Sequence, residues 1–264
     1  MHVIITGGSS GIGLEVARIY LSRGANVSLI ARDPERLETA RQSLLSQAAP
    51  RRTGARNLRI HTASADTSDA ERLEAAVADC LSANGPCDIL IASAGIVEPS
   101  AFDEQESSVF EAQISTNVFG TVNAVRAVYA DMKRRGAGRI MIVSSGAALI
   151  GIHGYTAYCA SKSALAGFAE ALRGEAGEHG VSVSVCFPPD TLTPQFQAEL
   201  PKRSPQARKL MGAAPPWPAT KVAERIVQGV EKRAAKVYFG FEITALGLFG
   251  PLVKPLVFWW YGRT

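Results

Sequence analysis

Only four cysteines occur in 264 residues, Cys80, Cys87, Cys159 and Cys186, and their spacing matches no metal-ligand set. A disulfide scaffold and a zinc module are therefore excluded, and the four read as small buried side chains in a reduced compartment. Tracts of aromatics interleaved with Lys or Arg are also missing. With a net charge of only +4, the chain has no signature of nucleic-acid binding. Long apolar runs are scarce. The longest uncharged stretch near the C-terminus, 243–253, has eleven residues, whereas a spanning helix needs about 20. At the N-terminus Val3-Ile4-Ile5 already reads as a strand, without a basic, apolar and cleavage-site succession, so the expected location is cytoplasmic.

What is present is a core and a rhythm. A 47% hydrophobic content at this length supports one large core. Short apolar or β-branched runs at 3–6, 26–31, 58–64, 89–92, 139–144 and 182–187 predict strands buried on both faces. Helical patterns over 11–23, 34–47, 69–83, 104–135, 155–178 and 221–232 alternate with them, and Gly or Asn-Gly-Pro signals stop several. The polar, arginine-rich stretch 48–57 predicts a solvated loop. This alternation implies a single α/β domain, a doubly wound parallel sheet with helices on both faces and a ligand crevice at the strand carboxyl ends.

Two motifs carry chemistry. The run Thr6-Gly7-Gly8-Ser9-Ser10-Gly11-Ile12-Gly13 follows the first strand and opens the first helix. Its glycines allow a tight turn and close backbone approach to a pyrophosphate held at the helix N-terminus. Gly7, Ser9, Ser10, Gly11, Ile12 and Gly13 are thus candidate cofactor contacts. An acid closing the second strand would select a ribose 2′-hydroxyl, but Ala31-Arg32 stands there. An arginine fork suits a 2′-phosphate, which points to NADPH/NADP+ as cofactor.

The second motif is Ser145, Tyr158 and Lys162, a serine thirteen residues before a tyrosine and a lysine four residues after it. On a helix, Tyr158 and Lys162 share a face. An ammonium beside the phenol would lower its pKa from about 10, and the serine could hold a carbonyl oxygen during proton transfer. No metal site is expected.

Together these motifs resemble the short-chain dehydrogenase/reductase family over nearly the whole chain, which implies a Rossmann-type fold and a ketone reductase. The resemblance adds Asn117 to Ser145, Tyr158 and Lys162 as a catalytic tetrad, with the asparagine holding a water in a proton relay. It assigns Asp66 to the adenine, and Ala94 and Gly95 to close cofactor approach. The family's Asn-Asn-Ala-Gly is here Ala92-Ser93-Ala94-Gly95, so support of the sheet there must differ. Its Pro-Gly is here Pro188-Pro189-Asp190-Thr191-Leu192-Thr193-Pro194, which places Pro188, Thr191 and Thr193 at the nicotinamide. That loop resembles the 3-ketodihydrosphingosine reductase subgroup, implying a lipid ketone substrate, 3-dehydrosphinganine. Another NADPH-dependent reductase, acting on 3-oxoacyl thioesters or a steroid-like ketone, is the alternative. The resemblance also implies a homodimer or homotetramer.

The expected organisation is a cofactor-binding and catalytic domain over 1–236, with a substrate loop at 190–218, and an apolar tail over 237–264. Lys202, Arg203, Arg208 and Lys209 read as solvated loop cations, with lipid phosphates as a second reading. The tail has three readings: packing on a sister subunit or the core, a lid over a long-chain substrate, or peripheral membrane contact with Trp, Lys254 and Arg263 at the headgroups.

Overall fold

A computed structural model describes residues 1–48, 59–212 and 214–261. The expected loop at 48–57, beyond Ala48, and Arg263 lie outside them. The order is β1 (His2–Thr6), α1 (Gly11–Ser22), β2 (Asn26–Ala31), α2 (Pro34–Ala48), β3 (Ile60–Ser64), α3 (Ala70–Asn84) and β4 (Ile89–Ala92). Then follow α4 (Ser107–Ile114), a π-helical segment (Ser115–Phe119), α5 (Gly120–Arg135), β5 (Gly138–Val143), α6 (Thr156–Gly177) and β6 (Val181–Phe187). The remainder comprises β7 (Thr191–Leu192), α7 (Pro194–Glu199), α8 (Pro205–Met211), β8 (Trp217–Pro218), α9 (Ala219–Glu231), β9 (Lys236–Tyr238) and α10 (Gly240–Tyr261).

Seven strands form one parallel sheet in the order β3-β2-β1-β4-β5-β6-β9. Alternate residues of a strand feed opposite layers. Val3 and Ile5 of β1 pack into the cluster under α1, α2 and α9, whereas Ile4 packs with Leu73 and Val77 of α3 and Val125 and Val128 of α5. The helices start and stop for local reasons. Asp69 caps α3 by accepting the Arg72 N–H at 3.0 Å, and Gly136 ends α5 at φ 65°, a left-handed turn that favours glycine.

Three departures from expectation follow from tertiary context. The helix expected over 104–135 is broken by the π segment that carries Asn117. The stretch 190–218 folds into two short helices and the β7–β8 ladder rather than an open loop. The boundary expected after residue 236 falls inside β9, which adds to the sheet beside β6. Val237 and Phe239 are core residues, so the apolar character there reflects burial in the sheet layer.

Candidate active site

The carboxyl ends of β1, β2, β4, β5 and β6 open into one cleft of about 630 Å³. Its floor at β1 is the glycine loop. Gly7 sits at φ 68°, and a Cβ there would come within 2.9 Å of the Ala94 backbone. A Cβ on Gly13 would come within 2.5 Å of the Gly7 carbonyl oxygen. The loop can therefore press against β4 only as glycine. Thr6 Oγ1 accepts the N–H groups of Ser93 and Ala94 at 3.2 and 3.3 Å. That hydroxyl ties the β4 loop to β1 where the family's first asparagine is absent. At the start of α1, Ser10 makes no side-chain cap bond and the first turn has no acid, which suits an anionic phosphate at the amide end. The residues present fit a dinucleotide.

At the far edge of this half, Arg32 lines the cleft and is 60% exposed, with Arg36 beside it. Arg36, in the first turn of α2, was not among the residues expected at the cofactor. Asp33 also lines the cleft here, with its Oδ2 3.4 Å from Arg36 Nε. Its Oδ1 accepts the N–H groups of Glu35 and Arg36 at 3.0 and 3.1 Å. Asp66 does not cap α3; it accepts Ser68 N–H and O–H at 2.9 and 2.7 Å and stands 4.0 Å from Arg32. Burial works against its charge, but the Ser68 bonds and Arg32 prevail and hold the carboxyl below its ordinary value. Its neighbours Ala65 and Thr67, not Asp66 itself, line the cleft.

The catalytic candidates gather at the middle. Tyr158 and Lys162 project from α6, and Lys162 Nζ stands 5.6 Å from the Tyr158 ring centroid while donating to the Val143 carbonyl at 3.2 Å. Ser145, just beyond β5, hydrogen-bonds the Tyr158 hydroxyl, and its Oγ accepts Ala147 N–H at 3.2 Å. Asn117 Oδ1 accepts Ile96 N–H at 2.8 Å, and its Nδ2 donates to the Ile96 carbonyl and to Ser161 Oγ at 3.0 and 2.9 Å. The π segment turns this amide toward the β4 loop, a recurrent use of such bulges at functional sites. A Cβ on Gly95 would lie 3.1 Å from Asn117 Oδ1 and 3.2 Å from Lys162 Nζ, so glycine leaves room for both side chains; Lys162 lines the cleft, whereas Asn117 is fully buried behind it and does not.

Electrostatics here differ from expectation. Burial raises the Tyr158 phenol well above its ordinary value, with the Ser145 hydrogen bond opposing and the charges of Glu199 and Asp190 adding to the rise. The net shift is thus upward rather than the expected lowering, with burial its largest cause. Burial instead lowers Lys162 itself, from 10.5 to about 8. The phenol is thus a neutral proton donor beside an ammonium that titrates just above neutrality.

Pro188, Thr191 and Thr193 line the cleft opposite the glycine loop. The Pro188 carbonyl accepts Gly146 N–H at 2.9 Å, Thr191 Oγ1 donates to the Pro189 carbonyl at 2.8 Å, and Thr193 Oγ1 caps α7 through Phe196 N–H at 3.1 Å. The Thr193 methyl would stand 3.0 Å from a Cβ on Gly11, so this loop reaches across to the start of α1.

Beyond it lies a network of which only the i,i+4 spacing of Glu199 and Arg203 is visible in the sequence. Arg203 is 5% exposed rather than solvated. It donates to Asp190 through both terminal nitrogens, at 2.5 and 2.8 Å, and to Glu199 Oε1 at 2.8 and 2.9 Å. Tyr155 donates its hydroxyl to the same Oε1 at 2.5 Å. Of the other three cations, Lys202 pairs with Glu98, Arg208 donates to the Pro201 carbonyl and Lys209 lies 4.8 Å over the Trp260 ring.

The first half of α10 completes the wall. Ile243 and Leu246 line the cleft, and the Tyr238 ring packs so closely on Gly247 that a Cβ there would come within 2.1 Å. Phe249 breaks the helical path at φ −121°, and the second half, with Leu252, Leu256, Phe258, Trp259 and Trp260, is exposed. By length and composition, 240–260 is apolar enough to cross a membrane, a property the eleven-residue uncharged run concealed because it ended at Lys254.

Against known proteins, the short chain dehydrogenase family profile matches residues 1–204. A 3-dehydrosphinganine reductase of Danio rerio is 38% identical over 233 residues, covering 86% of this chain and 69% of that protein. A 3-ketodihydrosphingosine reductase of Bos taurus is 36% identical over 228 residues, covering 86% and 67%. Among solved structures, a short chain dehydrogenase from Mycobacterium paratuberculosis bound to NAD superposes with a TM-score of 0.78 at 27% identity, covering 90% of this chain and 95% of that one.

Proposed function

This chain belongs to the short-chain dehydrogenase family, an oxidoreductase with a nicotinamide dinucleotide cofactor, and from that premise we propose that it reduces 3-dehydrosphinganine to sphinganine with NADPH. The observation that carries the reading is likeness to reductases of that name over 86% of the chain, joined to Ser145, Tyr158 and Lys162 lining one cleft with the glycine loop.

When bound, the reduced nicotinamide supplies hydride to a carbonyl carbon. The glycine loop, Ala94, Gly95, Pro188, Thr191 and Thr193 would hold the cofactor against the catalytic group. Ser145, its oxygen already accepting Ala147 N–H, turns its hydroxyl hydrogen to the substrate carbonyl oxygen. Tyr158, neutral at working pH, donates the proton as negative charge grows on that oxygen. Lys162 stabilises the phenolate that remains, and Asn117 holds the Ile96 backbone and the helix face beside it.

Arg32 and Arg36 support a preference for the 2′-phosphate of NADPH, with Asp33 spent on its helix cap. Substrate class is supported by charge. Arg32 and Arg36 sit at the nucleotide end, whereas Asp190, Glu199 and Glu242 line the other. An acidic end of this kind disfavours an acidic carrier protein bearing a 3-oxoacyl thioester and suits a free amino ketone. The exposed half of α10 supports peripheral contact with a bilayer, with Lys254 beside the tryptophans, while Ile243 and Leu246 act as a lid edge. A homodimer or homotetramer through the outer faces of α5 and α6 is part of the same reading. Conversion of 3-dehydrosphinganine and NADPH to sphinganine by the purified protein, identified by mass, tests the activity; absence of product with intact cofactor binding refutes it.

A further inference from the structure

The substrate end of the cleft holds an imbalance of charge. Asp190 and Glu199 carry two negative charges, and Arg203 supplies one positive charge to both. No other described cation pairs with either carboxylate. Glu199 is only 9% exposed, and its three hydrogen bonds, from Tyr155 and from two Arg203 nitrogens, all fall on Oε1. Among the described residues Oε2 accepts none, although Glu199 lines the cleft. A carboxylate oxygen left open to the cleft in this way can take a cationic donor from a ligand.

The position is informative. Tyr155, which fixes Oε1, packs edge-on against the proton donor Tyr158, with ring centroids 6.3 Å apart. A cation at Oε2 would enter the same cleft that Tyr155 and Tyr158 line. An amine on the carbon next to the carbonyl meets that requirement.

We propose that Glu199 is a specificity-determining residue that binds the ammonium of a 2-amino-3-ketone through Oε2, with Tyr155 and Arg203 holding the carboxylate in place. This rests on the amino-ketone reading above and adds to it the residue that recognises the amine. Arg203 prevents the network from carrying two excess negative charges, and its place over the Phe196 ring, 5.0 Å from the centroid, fixes the guanidinium. One negative charge remains for the ligand. A ketone of equal chain length without the amine would leave that charge unpaired and bind less well.

The experiment compares the long-chain amino ketone with the same hydroxyketone carrying hydrogen in place of the amine, in the full-length protein with NADPH. The readout is the ratio of their kcat/KM values. Beside it stands the ratio of equilibrium affinities of the two alcohol products, which needs no turnover. The wild type is expected to favour the amine by about tenfold or more in both, and Glu199→Gln to reduce both ratios below about threefold. Tyr155→Phe keeps the carboxylate and both of its Arg203 hydrogen bonds, and is expected to retain a reduced but clear preference. If Glu199→Gln does not fold, the wild-type and Tyr155→Phe ratios decide the matter. A wild type without preference in binding, a preference that survives Glu199→Gln, or one lost in Tyr155→Phe overturns the proposal. Lack of turnover of the amino ketone with a persisting amine preference in binding would instead refute the assigned reaction and leave the role of Glu199 supported.

Discussion

Lys162 Nζ lies 5.6 Å from the centre of the Tyr158 ring, one turn away on the same face of α6, and both face the cleft between β4 and β5. Their titration runs in opposite directions. Burial raises the phenol, and burial lowers the ammonium to about 8. At neutral pH the pair is a neutral acid beside a cation, the protonation state that ketone reduction needs.

Replacing Tyr158 by Phe removes the proton donor and little else. The rate kcat should fall by roughly 100- to 10,000-fold, the contribution typical of a positioned general acid. NADPH affinity, read by fluorescence titration, should stay close to wild type. Substantial remaining turnover would refute the proton role.

The Lys162 value sets a pH dependence. Its ammonium is present below about 8 and is lost above it, so kcat/KM for reduction should decline as pH rises through about 8, approaching tenfold per unit. Stability moves the other way. Between about 8 and the unfolded value of 10.5 the unfolded chain binds more protons, so this group makes stability rise with pH in that window. A rate profile flat from pH 7 to 9.5 would remove Lys162 from the charged role.

Arg32→Asp tests cofactor choice. Loss of the guanidinium and gain of a carboxylate should raise the KM for NADPH by about tenfold or more while that for NADH changes far less. Equal changes would show that the 2′-phosphate is not read there.

Much of this site was legible because its parts are local. The glycine loop lies between a strand and a helix that both follow from apolar spacing, and Tyr158 and Lys162 need only a helical turn to meet. What could not be read depends on distance along the chain. Arg203 looks like a solvated cation in a Pro-rich segment, and its burial comes from Asp190, thirteen residues away, and from Tyr155 on another element. β9 is three residues of an apolar stretch, and only its pairing with β6 separates it from α10. The π segment at Asn117 leaves the apolar period almost unchanged, so a continuous helix was the natural expectation.

Deleting the residues after Phe239 removes α10 with its exposed Leu252, Leu256 and Trp260. The full chain should float with liposomes and the shortened chain should remain in the soluble fraction. Unchanged flotation would assign the helix to packing alone.

The central claim is reduction of an amino ketone, and the most direct measurement is NADPH oxidation by the purified chain. The substrates are 3-dehydrosphinganine and, beside it, a 3-oxoacyl thioester of equal acyl length. The account predicts a kcat/KM at least about 100-fold higher for the amino ketone, with sphinganine as product. Efficient reduction of the thioester with none of the amino ketone would contradict it.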